Sequence, residues 1–122
     1  MAQVEQSVQE LLTIDGAVGV AIVDSASGMA LAQGGHPAFD LGIAAAGNSN
    51  VVRAKLQTMK DLGLHSTIDD ILITLDEQYH LINVLGGEGT EGLFVYLVLD
   101  RAKANLALAR HRLASVSTQI VV

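Results

Sequence analysis

The chain has 122 residues, a length that suits one domain with a core large enough to stand without staples. Thirteen acidic side chains against seven basic ones give a formal charge of −6, which argues against non-specific binding to nucleic acid. Cysteine is absent, so disulfides and thiolate metal sites are excluded, and Phe39, Tyr79, Phe94 and Tyr96 are too few and too scattered to stack single-stranded bases.

Residues Met1 to Glu5 show no basic segment leading into an apolar core, so no signal peptide is expected. The apolar runs are too short to span a bilayer, and a cytoplasmic setting is the expectation. Residues 3–13 carry Val4, Val8, Leu11 and Leu12 on one side and Glu5, Gln6, Gln9 and Glu10 on the other, the pattern of an amphipathic helix. Asp15-Gly16 breaks it. Ala17 to Val23 reads as an inner strand, Ser25 to Gly28 as a turn, and Met29 to Gln33 as a shorter returning strand.

Gly34 to Pro37 is a loop, and Asp40 is a natural N-cap for a long helix over residues 41–62 that Gly63 ends. At about 100° per residue, Leu41, Ala44, Ala45, Asn48, Val52, Leu56 and Met59 share one stripe, and Lys55 also falls within it. An unpaired buried amide costs about 1–3 kcal/mol, so at least one of Asn48 and Lys55 is expected to be buried or half-buried with a polar partner. Ile43, Gly47, Asn50 and Ala54 form a second face of mostly small residues, suited to close approach by another element. Gly47 costs up to about 1 kcal/mol relative to alanine inside a helix. Either face suits a subunit contact, and the bland alternative is a set of tolerated surface positions.

Ile71 to Leu75 and Tyr79 to Leu85 form a second hairpin around Asp76-Glu77-Gln78. Gly86 to Gly92 leads into Leu93 to Asp100, a run apolar on both faces that reads as a central strand under helices on each side. Asp100 is read as opening a last helix over residues 101–116 with Ala102, Leu106, Ala109, Leu113 and Val116 inward, and residues 117–122 as a frayed tail. Five strands joined mostly by hairpins make an antiparallel sheet, and three helices cover its two faces in an α/β sandwich.

These residues, in this order, resemble the Roadblock/LC7 family, in the style of its bacterial members. The likeness covers residues 3–116, read as a single domain. It rests on Ile14 to Asp24 followed by Ser27-Gly28, on the small-residue helix after Phe39-Asp40, on the Ile71–Leu75 and Tyr79–Ile82 pair, and on Gly92 to Asp100 running into a helix. The resemblance implies strand order 2-1-5-4-3, with the first and last helices on one face and the middle helix on the other. It implies a homodimer formed through the third strand, Ile71, Leu72, Ile73, Thr74 and Leu75, and through the middle helix at Ile43, Gly47, Asn50 and Ala54. It further implies a non-enzymatic scaffold or regulator of a Ras-like small GTPase, without a cofactor. Some bacterial relatives carry a longer functional tail than the six residues found here.

The chemistry-bearing residues fit that reading. His36, His65, His80 and His111 have no ligand spacing, and Gly86 to Gly92 lacks both the following helix and the Gly-Lys-Ser/Thr ending of a phosphate cradle. Asp69, Asp70, Asp76 and Glu77 bracket the third strand and limit promiscuous edge pairing. Asn48, Arg53, Lys55 and Lys60 on the long helix are the expected partner-binding residues, and Arg101, Lys103, Arg110 and Arg112 make the last helix basic. The alternative function is a small-molecule-sensing domain with a pocket between sheet and helix. A weaker third is an enzyme using Asp69, Asp70 or His80.

Overall fold

A computed structural model describes residues 2–122; Met1, where the N-terminal segment begins, lies outside them. The element order is α1 (Ala2–Leu11), β1 (Ala17–Asp24), β2 (Ala30–Gly35), α2 (Leu41–Asp61), β3 (Asp70–Thr74), β4 (Gln78–Val84), β5 (Leu93–Asp100) and α3 (Leu106–Ser117). The strands form one antiparallel sheet in the order β2-β1-β5-β4-β3, as the resemblance implies.

Two cores lie on the two faces. Val4, Val8 and Leu11 of α1 and Ala109, Leu113 and Val116 of α3 pack on Val20, Ile22, Leu81, Val95, Leu97 and Leu99. Leu41, Ala45 and Val52 of α2 pack on Ala21, Val23, Ile82, Phe94, Tyr96 and Val98. The close fit of α1 depends on Gly34, where an added Cβ would come within 2.9 Å of Val8 Cγ1. No helix is long and apolar enough to cross a membrane among the described residues.

The caps explain the helix limits. Asp40 Oδ1 accepts from the N–H groups of Gly42 and Ile43 at 2.7 and 3.2 Å, the expected start of α2. At its other end Gly63 adopts φ 70°, Gly63 N–H donates to Lys60 O and Leu64 N–H to Met59 O, a paired closure that turns the chain away.

Three readings need correction. Asp100 does not open the last helix. Its Oδ1 accepts from Ala102 N–H in a turn, and Asn105 Oδ1 caps α3 by accepting from Leu108 N–H. Ala102 is accordingly exposed rather than inward. Ser49, outside the expected α2 stripe, is fully buried and donates to Ala45 O, whereas Leu56 is 42% exposed. The stripe therefore turns out to solvent after Val52, beyond which only Met59 of α2 stays buried. The expected frayed tail is instead anchored, because Ser117 belongs to α3 and Ile120 returns to the core at 5% exposure.

The anchor gives a direct test. Ile120→Ala should destabilise the chain by about 2 kcal/mol, because a buried side chain leaves a cavity behind. Val122→Ala, at a position 48% exposed, should stay within about 0.5 kcal/mol. Urea unfolding of the two variants checks both, and an unchanged midpoint for Ile120→Ala would contradict the anchored end.

Candidate functional site

The α2 layer roofs only part of its side of the sheet. The α2 backbone lies over β1 and β2 while its inward side chains reach β5. Beyond it, Ile71 and Ile73 of β3 and His80 and Val84 of β4 remain half-buried. β3 pairs only with β4, so its outer edge is free. Leu72 points to the other face and packs against the α1/α3 core. Thr74 and Leu75 are exposed, and Leu75 lies in the turn after β3.

The outward side of α2 is apolar and open. Ile43 is 74% exposed, and Gly47, Asn50 and Ala54 are exposed with it. A Cβ added at Gly47 would meet nothing within 4 Å. Within one chain, then, no close approach accounts for a glycine in the helix interior.

Between α2 and β4–β5 runs a groove of about 430 Å³, lined by Phe39, Asp40, Ile43, Ala44, Gly47, Asn48, His80 and Tyr96. Its floor is a hydrogen-bonded chain. His80 Nε2 lies 2.9 Å from Gln78 Oε1, and Tyr96 Oη lies 3.0 Å from His80 Nδ1. Asn48 on α2 lines the same groove beside Tyr96. The Tyr96 ring meets His80 edge-on at 5.4 Å, and Phe39 leans on the imidazole from the loop at 5.8 Å. Burial pushes the Tyr96 hydroxyl up to about 12, partly offset by the nearby Asn48 amide. Burial also lowers the His80 pKa from its ordinary value.

Of the two polar residues placed in the apolar stripe, Asn48 is half-buried in the groove that Tyr96 also lines, and Lys55 is exposed. Lys60 is also exposed, in the last turn of α2. Arg53 folds back instead of projecting to a partner. Its guanidinium donates to Ser25 O and Ala26 O of the β1–β2 turn and to Asn50 Oδ1.

The three arginines near the C-terminus are occupied in the same way, while Lys103 is exposed. Arg110 forms two 2.9 Å hydrogen bonds to the Asp70 carboxylate, and Arg112 donates to Thr13 Oγ1. Arg101 donates to Leu75 O and lies 5.1 Å over the Tyr79 ring, clasping the β3–β4 turn. Asp70 engages α3 while His80 faces α2, so the sheet stands between these two residues of the enzyme alternative. Among the described residues, no group of three His, Cys, Asp or Glu side chains is placed to hold a metal. The residues that sequence reasoning passed over are Phe39, Gln78 and Tyr96. Tyr96 carries a hydroxyl inside an otherwise apolar run, and that is the one signal available; its meeting with His80 depends on the β4–β5 register.

Two measurements follow from this geometry. Arg53→Ala should cost about 1 kcal/mol through the lost turn contacts, whereas Lys60→Ala should leave the urea midpoint unchanged; equal effects would refute the structural role of Arg53. For His80, the folded-state pKa lies below the ordinary 6.5, so the unfolded chain binds the proton more readily. The contribution of neutral His80 is complete above about pH 6.5 and is lost as pH falls from there through the folded value. Stability measured from about pH 7.5 to 5.5 should therefore fall less in His80→Gln than in the parent chain.

No protein-family model matches the sequence, and no curated protein matches it. Solved structures do. The fold superposes on MglB of Myxococcus xanthus with TM-score 0.83 and 17% identity, covering 97% of this chain and 84% of that one. The Roadblock/LC7 domain from Streptomyces avermitilis gives TM-score 0.78 and 13% identity over 94% and 92% of the two chains. The gliding protein MglB from Thermus thermophilus gives 0.69 and 19% over 97% and 90%. With its sheet order and its two-plus-one helices matching these structures, the chain has the Roadblock/LC7 fold.

Proposed function

We propose that this chain is a homodimeric, non-enzymatic interaction module that regulates or scaffolds a Ras-like small GTPase in bacterial cytoplasmic signalling. The observation that carries the dimer is the half-roofed α2 face. Ile71, Ile73 and His80 are half-covered beside a free β3 edge, and the outward side of α2 exposes Ile43 next to an open Gly47. A second copy on a two-fold axis answers each of these features at once. β3 pairs with its copy and loses its edge. The two α2 helices approach along Ile43, Gly47, Asn50 and Ala54, and the absent Cβ of Gly47 brings them close.

The partner class comes from the Roadblock/LC7 resemblance, since a fold alone carries no function. The name of the Thermus neighbour, a gliding protein, favours a bacterial regulatory setting. On the dimer, paired α2 helices form a platform. Arg53 is tied to its own chain, so Lys55 and Lys60 supply the exposed positive charge there, with Asn48 at the groove. The GTPase switch segments, which rearrange between nucleotide states, would meet that platform.

The groove itself favours a second reading, a small-molecule-binding domain, because its apolar walls surround a few convergent polar groups. A ligand-dependent rise in melting temperature would select it.

The test has two arms. Sedimentation velocity at micromolar concentration should give a dimer that Ile73→Pro breaks through the lost ladder hydrogen bonds; a monomeric parent chain would refute the assembly. Pull-down with GDP- and GTP-loaded Ras-like proteins of the same cell should give affinities that differ by about fivefold or more. Equal affinity leaves a passive scaffold, and no binding to any of them sinks the GTPase reading.

A further inference from the structure

β3 offers Asp70 to Thr74 along its free edge. Ile71 lies on the α2 side of the sheet and Leu72 on the α1/α3 side, so by alternation Ile73 is again on the α2 side. Residues directly opposite each other in an antiparallel ladder point to the same side of the sheet. A second copy that set its Leu72 against Ile71 would therefore be turned over, with its α2 on the far side of the joined sheet. The two α2 helices share a side only when odd-numbered residues of β3 face odd-numbered ones.

That condition leaves a two-fold axis at Ile71, at Leu72 or at Ile73. With Ile73 on the axis, the pairing shrinks to residues 72–74, and the exposed Asp76–Glu77 turn of each copy is brought toward Asp69 and Asp70 of the other. Like charges placed opposite each other destabilise a ladder. With Ile71 on the axis, the pairing shrinks to residues 70–72, and Asp69 of one copy is set against Ile73 of the other. With Leu72 on the axis, the whole of β3 pairs. Ile71 then meets Ile73 of the second copy twice over, on the face where α2 leaves both isoleucines half-buried. Asp70 meets Thr74 of the second copy, and its carboxylate is already held by Arg110 at 2.9 Å.

We propose that β3 pairs with its copy in one register, Leu72 against Leu72 on the two-fold axis, and that the acidic residues at the two ends of the strand exclude the registers on either side. The register rests on the dimer reading above and specifies it. Asp69, Asp70, Asp76 and Glu77 are in this sense the specificity-determining residues of the edge. They leave the strand free to take a second copy and penalise a slipped one.

The chain has no cysteine, so introduced thiols report on strand pairing alone. Single-cysteine variants of the full chain are oxidised with copper–phenanthroline and run on a non-reducing gel. Leu72→Cys should link to itself. Ile71→Cys and Ile73→Cys should each self-link about tenfold less, because each Cα then lies about 8 Å from its copy, past the span of a disulfide. A mixture of those two variants, left to exchange subunits, should link one to the other. Self-linking of Ile73→Cys, linking of Ile71→Cys to Leu72→Cys, or a dimer with no link through β3 overturns the register. Replacing Asp76 and Glu77 together by lysine should raise the self-link of Ile73→Cys severalfold; no rise overturns the role of the acidic residues. Sedimentation velocity of the parent chain separates the two readings. A monomer overturns the dimer and the register together, whereas a dimer with another linking pattern overturns the register alone. If Leu72→Cys does not fold, the mixture of Ile71→Cys and Ile73→Cys carries the test.

Discussion

Each layer of the molecule is organised by β5, which is buried on both faces from Leu93 to Leu99. Water cannot reach its peptide groups, so both of its edges must be paired, and β1 and β4 run antiparallel along almost its full length. Its side chains alternate, and each row needs an apolar roof. Val95, Leu97 and Leu99 lie under α1 and α3, while Phe94, Tyr96 and Val98 face α2. A strand of this composition needs an apolar cover on both faces, which the helix layers on either side supply.

The two roofs are unequal, and that inequality is where the molecule offers something to a partner. Two helices cover one face, whereas a single helix of about 31 Å lies mainly over β1 and β2 on the other. What it leaves half-covered is the outer part of the sheet, next to the free β3 edge. The cations near the two helix layers sharpen the contrast. Arg101, Arg110 and Arg112 are spent on the turn, on Asp70 and on Thr13, which leaves Lys103 as the exposed cation before α3. On the α2 side Arg53 is likewise taken, and Lys55 and Lys60 remain exposed.

The polar chain sits at the boundary of the partial roof. Tyr96 is fully buried as a residue, yet its hydroxyl reaches the groove where α2 stops covering the sheet. A hydroxyl in that position must find partners, since leaving it unpaired costs about 1–3 kcal/mol. His80 supplies one from β4. The half-roofed face thus carries one titratable ring, tied to the central strand through the Tyr96 hydroxyl.

Much of the fold was legible because its signals are local. Asp40 and Gly63 bracket α2 through cap geometry that belongs to their own turns, and the doubly apolar run of β5 identifies a central strand without knowledge of its neighbours. Where two local signals competed, the reading slipped. Asp100 and Asn105 both suit an N-cap, and the choice went to Asn105 because β5 ends by pairing Asp100 with Gln78 and turns before the helix begins. The outward turn of Leu56 and the burial of Ile120 were not legible, since each depends on where the sheet ends beneath a helix. The candidate site was legible only in part. Asn48 stood out as an amide in an apolar stripe, but Tyr96, which shares its groove, is 48 positions away along the chain, and His80 meets Tyr96 only through the β4–β5 register. Sequence by itself determined the layers, the central strand and the helix caps, because periodicity and capping are properties of a few adjacent residues. Tertiary structure decided which cations are free, how far α2 reaches and which polar groups meet, because those depend on distances between segments that no local pattern encodes.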